Sequence, residues 1–382
     1  MPLIPLSQPD IGPLERQYVE EVLASSRLAL GPWLRRFEHQ MAEICETKHA
    51  VAVSSGTAAL HLITHALHIE TGDEVITSPL SFVASSNAIL YEGAVPRFVD
   101  ISPDTLNLDV SQLDRAVSPA TKSILAVDVF GIPADWPALA AFAEAHGFSL
   151  IDDACEALGA RSGGRALGSW GHAAAFGFYP NKQITTGEGG CITTNADDIA
   201  DLCRSLRNQG RADDARMEHV HLGYNYRMDE LSAAVGCAQL ERFAELQARR
   251  SDVAAWYRAA LEDMQDDLVL PPEPGDRTRS WFVYVVRLKD HFTADARDRL
   301  MAHLGEAGIG CAPYFPCIHL QPYYRRRFGY ERGAFPIAEA VSDRSLALPF
   351  FTGLKQEEVS RVAMAVRQAL SRLPRTRQVT SF

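Results

Sequence analysis

Between residues 50 and 193 short strand-like runs alternate with longer stretches of helical spacing, and this alternation restricts the possible folds more than any other feature. The runs are Ala50 to Val53, Glu74 to Thr77, Pro96 to Val99, Ser123 to Val127, Ser149 to Asp152, Ala174 to Phe178 and Gly190 to Thr193. Several are apolar throughout rather than alternating with polar residues, the pattern of strands buried on both faces. Helix-like segments such as Ala58 to Leu67 and Trp136 to His146 intervene. The expected large domain is therefore α/β, with a seven-stranded, mostly parallel sheet covered by helices.

Beyond Met228 the pattern changes. Leu, Ala and Val follow helical spacing to about Met264, where the Pro-rich stretch 271 to 275 interrupts it. A strand-like Trp281 to Leu288, a helix near Ala294 to Ala307, a loop rich in Tyr, Pro and His at 313 to 324, and a helix from Lys355 to Leu370 follow. This reads as a smaller α+β domain. The expected division is residues 1–245, with an N-terminal arm over 1–30, and residues 246–382; the last nine residues are expected to fray.

The chain of 382 residues is long enough for two domains, and its 47% apolar and 22% charged content are those of a globular protein. A net charge of −11 without a basic stripe argues against nucleic acid as a partner. No run approaches the ~18 apolar residues of a membrane span and the start lacks the form of a signal peptide, so the expected location is the cytoplasm. Seven cysteines without CxxC spacing argue against a disulfide framework or a structural zinc site, and are expected to be reduced and buried.

Three segments carry candidate chemistry. Lys182 stands in the turn Phe178-Tyr-Pro-Asn-Lys-Gln-Ile-Thr-Thr-Gly-Glu-Gly-Gly190 between two strand-like runs. A lysine held in a pocket there can lose its proton and attack an aldehyde, which points to pyridoxal 5'-phosphate (PLP); an exposed loop lysine is the plain alternative. In Ser54-Ser-Gly-Thr-Ala-Ala59 a strand turns into a helix whose free N–H groups at Gly56 and Thr57 suit a phosphate, although Ser-Gly-Thr also serves as a simple helix cap. Ile151-Asp-Asp-Ala-Cys-Glu156 places two carboxylates at the end of a strand, where open α/β sheets bind ligands. One of them suits the pyridine nitrogen of PLP; a divalent metal is the other reading, but no further cluster completes such a site. His61, His65 and His68 share a helical spacing without the Glu of a His-Glu-x-x-His motif and are expected on a helix flank.

Taken together with Gly72-Asp-Glu-Val-Ile-Thr, Gly223-Tyr-Asn-Tyr-Arg-Met228, the opening Ile4-Pro-Leu-Ser-Gln-Pro-Asp and Ile318-His-Leu-Gln-Pro-Tyr323, these segments resemble the DegT/DnrJ/EryC1/StrS family of sugar aminotransferases nearly end to end. The resemblance implies a fold-type I, aspartate aminotransferase-like PLP enzyme. It implies a homodimer that moves an amino group, usually from glutamate, to a nucleotide-linked keto sugar, passing through pyridoxamine 5'-phosphate. It makes Lys182 the Schiff-base lysine and acid/base, Asp153 the pyridine-nitrogen partner, Phe82 the ring-stacking aromatic and Gly56 and Thr57 the phosphate loop. Asn225 matches a residue that reaches the phosphate from the neighbouring subunit, and Tyr314 and His319 fall in the segment that approaches the substrate.

The chain departs from the family pattern twice. Gly177 stands where many relatives carry a phosphate-binding serine, so one hydroxyl contact is expected to be absent. Glu156 stands where glutamine is frequent near the ring's phenolic oxygen, and a carboxylate there repels a phenolate unless protonated or turned away. Related sugar dehydratases replace the lysine with histidine, so Lys182 speaks against that activity. A cofactor-binding regulator without turnover is the rival from another class.

Overall fold

The computed structural model describes residues 3–212, 217–273 and 275–374, so the tail expected to fray lies, apart from Pro374, outside the described residues. All seven expected strands form one sheet: β1 (His49–Val53), β2 (Glu74–Thr77), β3 (Val95–Phe98), β4 (Thr121–Val127), β5 (Ser149–Asp153), β8 (Ala173–Gly177) and β9 (Gly190–Thr194). A small hairpin pairs β6 (Arg161–Ser162) with β7 (Arg165–Ala166). The order across the large sheet is β1-β9-β8-β5-β4-β2-β3. Only β9 runs against its neighbours; the other pairs are parallel.

Helices cover both faces, as strands without a polar side require. On one face α2 (Pro32–Ile44), α5 (Trp136–His146) and α7 (Glu230–Glu241) bury Phe37, Met41, Trp136 and Cys237 against the sheet. On the other, α3 (Gly56–Ala66), α4 (Ala84–Tyr91) and α6 (Asp197–Arg207) bury Leu60, Ile63, Ala88 and Leu206. Each large side chain so enclosed contributes roughly 1.5–3 kcal/mol. Helix α5 ends at Gly147, whose left-handed φ of 69° suits a residue without Cβ.

The helical spacing from Met228 to Met264 does not form one helix. It breaks at Arg242 between α7 and α8 (Phe243–Leu261). The Arg242 guanidinium is drawn to Asp10 (2.8 Å) and to Glu15 (2.7 Å) at the start of α1 (Pro13–Ala24), ties to the far end of the chain that local spacing does not reveal. The expected boundary at 245 falls in the first turn of α8.

A second, antiparallel sheet follows, in the order β10 (Leu268–Val269), β11 (Tyr284–Leu288), β13 (Ser345–Leu348), β12 (Ala312–Pro313). Helices α8, α9 (Ala294–Glu306) and α12 (Gln356–Leu370) pack a core of Tyr257, Tyr284, Leu300 and Val362, into which Ile4 of the N-terminal arm also inserts. Two further helices, α10 (Pro322–Phe328) and α11 (Pro336–Arg344), return toward the large sheet. All seven cysteines are free; five are buried, and Cys155 and Cys311 are partly exposed. Among the described residues no helix is long and apolar enough to cross a membrane.

Candidate active site

A cavity of about 1310 Å³ opens at the C-terminal ends of the parallel strands. Val127, Asp153 and Gly177 end β4, β5 and β8 on its wall, and Phe282 with the segment 314 to 326 closes it from the second sheet's side. Seven of the nine residues expected from sequence line this one cavity: Gly56, Thr57, Phe82, Asp153, Glu156, Lys182 and Tyr314.

At its base α3 begins. Ser55 Oγ accepts from Ala58 N (3.1 Å), which caps the helix and leaves the N–H groups of Gly56 and Thr57 without a partner among the described residues. The serine thus caps the helix and still leaves the next two amides unpaired, so the cap does not exclude an anion at this turn. A Cβ on Gly56 would meet Cys155 Sγ at 3.0 Å and Gly177 Cα at 3.2 Å, so bare backbone is required there.

The two aspartates serve opposite faces of the sheet, because successive side chains of a strand alternate. Asp153 faces the cavity. Its Oδ2 accepts from Ser85 Oγ (2.6 Å) and its Oδ1 from Cys155 N (3.3 Å). Asp152 turns to the other side, where its Oδ2 accepts from Gly168 N (3.0 Å). Its Oδ1 and Asp128 Oδ2 are buried oxygens that no N–H reaches. Asp128 in turn accepts from Ala134 N and Trp136 Nε1 on Oδ1 (2.7 and 2.9 Å). Burial pushes both carboxyls up, Asp128 to about 7; the charge of Asp128 adds to the rise at Asp152, the charge of Asp153 to the rise at Asp128, and a proton on Asp152 donated to Asp128 satisfies both orphaned oxygens.

Lys182 enters from the loop between β8 and β9. Its Nζ lies 3.8 Å from Glu156 Oε1 and 4.1 Å from the centre of the Phe282 ring. Buried Arg250 donates to the Lys182 carbonyl (2.6 Å), fixing the backbone that carries the amine. Burial raises the Glu156 carboxyl, the nearby Lys182 opposes that rise, and Phe130 N donates to its other oxygen (2.8 Å). Tyr314 faces the same space; its hydroxyl accepts from Asn181 Nδ2 (3.4 Å), while Asn181 Oδ1 is buried without a partner. Phe82 is 60% exposed although it lines the cavity, an open aromatic face awaiting a planar ring.

Two expected residues lie elsewhere. Asn225 is exposed and does not line the cavity. His319 is wholly buried, its Nε2 bonded to Glu339 (3.0 Å), burial lowers its tendency to protonate, and it does not line the cavity. The three spaced histidines do not share one exposed flank: on α3 His61 is buried, holding Glu92 (3.0 Å) and Tyr226 (3.1 Å), and His65 also meets Glu92 (3.2 Å), while His68 lies beyond the end of the helix and is exposed. Among the described residues no cluster could hold a metal ion.

A free helix N-terminus, a held carboxylate, an exposed aromatic ring and a shielded amine in one cavity are the donor set that PLP needs. The family model described as the DegT/DnrJ/EryC1/StrS aminotransferase family matches residues 9–367. The chain belongs to that family. It is thus a PLP-dependent enzyme of the sugar aminotransferase class with the fold-type I architecture, and solved neighbours include forms bearing PLP and its pyridoxamine counterpart. It is 38% identical to the GDP-perosamine synthase of Caulobacter vibrioides over 371 residues, covering 97% of this chain and 99% of that one. It is also 37% identical to a protein named "Pleiotropic regulatory protein" from Geobacillus stearothermophilus, covering 94% and 95%. The structure of DesV from S. venezuelae superposes with a TM-score of 0.88 at 36% identity, covering 94% and 95%. Ser85, Arg250 and the cavity-lining Arg326 escape the sequence reading; the serine carries no motif of its own, and the two arginines look like ordinary solvated charges.

Proposed function

We propose that this aminotransferase moves an amino group from an amino acid, L-glutamate foremost, to a nucleotide-linked keto sugar, 4-keto-6-deoxy or 3-keto, in deoxyamino-sugar biosynthesis. The observation that carries this reading is the union of Lys182 and a Ser85-held Asp153 in a cavity much larger than the cofactor and an amino acid require. PLP supplies the electron sink when bound. Gly56 and Thr57 would hold its phosphate through backbone amides, Phe82 would lie on the ring face, and Asp153 would keep the ring nitrogen protonated. Lys182 Nζ would be the amine that takes the cofactor's aldehyde and, as a free amine, the base that would move the proton of the amino acid's Cα. Glu156, protonated or turned to Phe130 N, avoids the phenolic oxygen, and Tyr314 offers its hydroxyl to the sugar.

The proposal includes a homodimer with a shared site. Asn225 reaches the phosphate of the neighbouring copy, and Leu222, 86% exposed on the same segment, fits a covered face. We further propose two domains divided near residue 245 and a cytoplasmic location.

The test is a screen of keto sugars carried on GDP, dTDP or UDP, with L-glutamate as donor and mass spectrometry of the product. An amino sugar is expected from one of them. The second reading, a cofactor-binding regulator, draws on the name of the Geobacillus relative; it predicts bound cofactor and no product from any donor and acceptor. A dehydratase would release deoxygenated rather than aminated sugar.

A further inference from the structure

The amine of Lys182 ends a flexible side chain, so its place depends on the backbone that carries it. That backbone is a turn without regular structure, held from within by Lys182 N on Tyr179 O (2.9 Å) and Thr186 N on Phe178 O (3.1 Å). Its outside hold comes from Arg250, in the middle of α8 and 4% exposed. Arg250 Nη2 donates to the Lys182 carbonyl (2.6 Å), and Nη1 donates to the Phe282 carbonyl (3.1 Å). Phe282, two residues before β11, carries the ring that lies 4.1 Å from Lys182 Nζ. One planar guanidinium thus holds both the root of the amine and the surface on which the amine rests. The next residue repeats the link: Gln183 Nε2 donates to Ser280 Oγ (3.1 Å) and to the Glu156 carbonyl.

Arg250 has no carboxylate partner among the described residues, and its Nε is buried without an acceptor. A buried cation answered only by two carbonyls is a poor source of stability. What an apolar side chain of the same size lacks is the fixed fork. We infer that Arg250 is a positioning residue for amino transfer, its two bonds setting Lys182 Nζ between Glu156 and the Phe282 ring. The inference rests on Lys182 as the reacting amine, and its test separates the two.

Release of keto acid from L-glutamate in a single turnover of the PLP-loaded protein gives the rate. At saturating L-glutamate, Arg250→Gln should slow it about 10- to 100-fold, the effect of a reacting group displaced by about 1 Å, with half-saturation within about twofold. Arg250→Lys, which keeps the charge and reaches one carbonyl, should restore part of the rate. In Lys182→Ala, added methylamine supplies a free base that no side chain places. Adding Arg250→Gln to that protein should leave the methylamine-dependent rate within about twofold, because the arginine acts only through the lysine. An equal fall in the lysine-dependent and methylamine-dependent rates would overturn the inference, as would an unchanged rate in a folded Arg250→Gln protein. If Arg250→Gln does not fold, Phe282→Leu keeps both carbonyls and removes the ring alone. It should slow the lysine-dependent rate about two- to fivefold and spare the methylamine-dependent one; equal losses would again overturn the inference. Full release by Lys182→Ala without methylamine would overturn the lysine reading, and the inference with it.

Discussion

At the inner end of the cavity the charged groups are held by neighbours, while the charge at the outer end is not. Asp153 is fixed by Ser85 and Cys155 N, Glu156 by Phe130 N, and the backbone of Lys182 by Arg250. Arg326 has no partner among the described residues, and Tyr91 and Tyr323 stand half-exposed beside it. The inner groups act on charge that develops at one place whatever the sugar, so fixing them in advance removes reorganisation from the reaction. The outer groups must be ordered by the ligand, at about 0.5–1.5 kcal/mol for each side chain immobilised.

The largest break of this contrast is Lys182→Ala. Loss of the amine should reduce turnover on the order of 10⁴-fold, and borohydride should no longer fix cofactor to the chain, as mass spectrometry of the intact protein would report. Asp153→Asn comes next: cofactor binding should persist while kcat falls about 10²- to 10³-fold, the scale of one preorganised electrostatic partner. Near-normal turnover in that variant would defeat the assignment.

The strand beneath the inner end offers a third break. Because Asp128 and Asp152 hold a proton that the unfolded chain releases, the native state binds more protons between the ordinary carboxylate range and about pH 7. Stability should therefore fall as pH rises through that window. Asp152→Asn replaces the shared proton with an N–H; it should change stability by less than about 1 kcal/mol at neutral pH and flatten that fall. The double variant Asp128→Asn/Asp152→Asn sets two NH₂ groups face to face and should lose about 2–4 kcal/mol. Urea unfolding across the window measures both. The smallest effect is expected from Ser85→Ala, which takes one donor from Asp153 and should cost about 1–2 kcal/mol in stability or barrier. A loss in kcat without a rise in KM for the nucleotide sugar would place it at the inner end alone.

The sequence made the large sheet legible because strands buried on both faces leave near-continuous apolar runs, and each expected strand lies within two residues of its place. That Lys182, Asp153, Gly56 and Thr57 meet in one cavity was legible because each stands in a local motif at a strand end. What escaped depends on contacts between distant segments. The break at Arg242 follows from carboxylates more than two hundred residues away. His319 reads as a substrate contact until Glu339 is seen to enclose it, and Ser85 gains meaning only when folding sets it against Asp153. Arg326 was hidden inside a run of three arginines, where charge alone does not say which one turns inward.

The most direct test of the account is the visible spectrum of the PLP-loaded protein before and after addition of L-glutamate, with no sugar present. Loss of the yellow absorption of lysine-bound cofactor, with appearance of the pyridoxamine form and release of one equivalent of the keto acid, is the predicted result. A spectrum that L-glutamate and every other amino acid leave unchanged would contradict it.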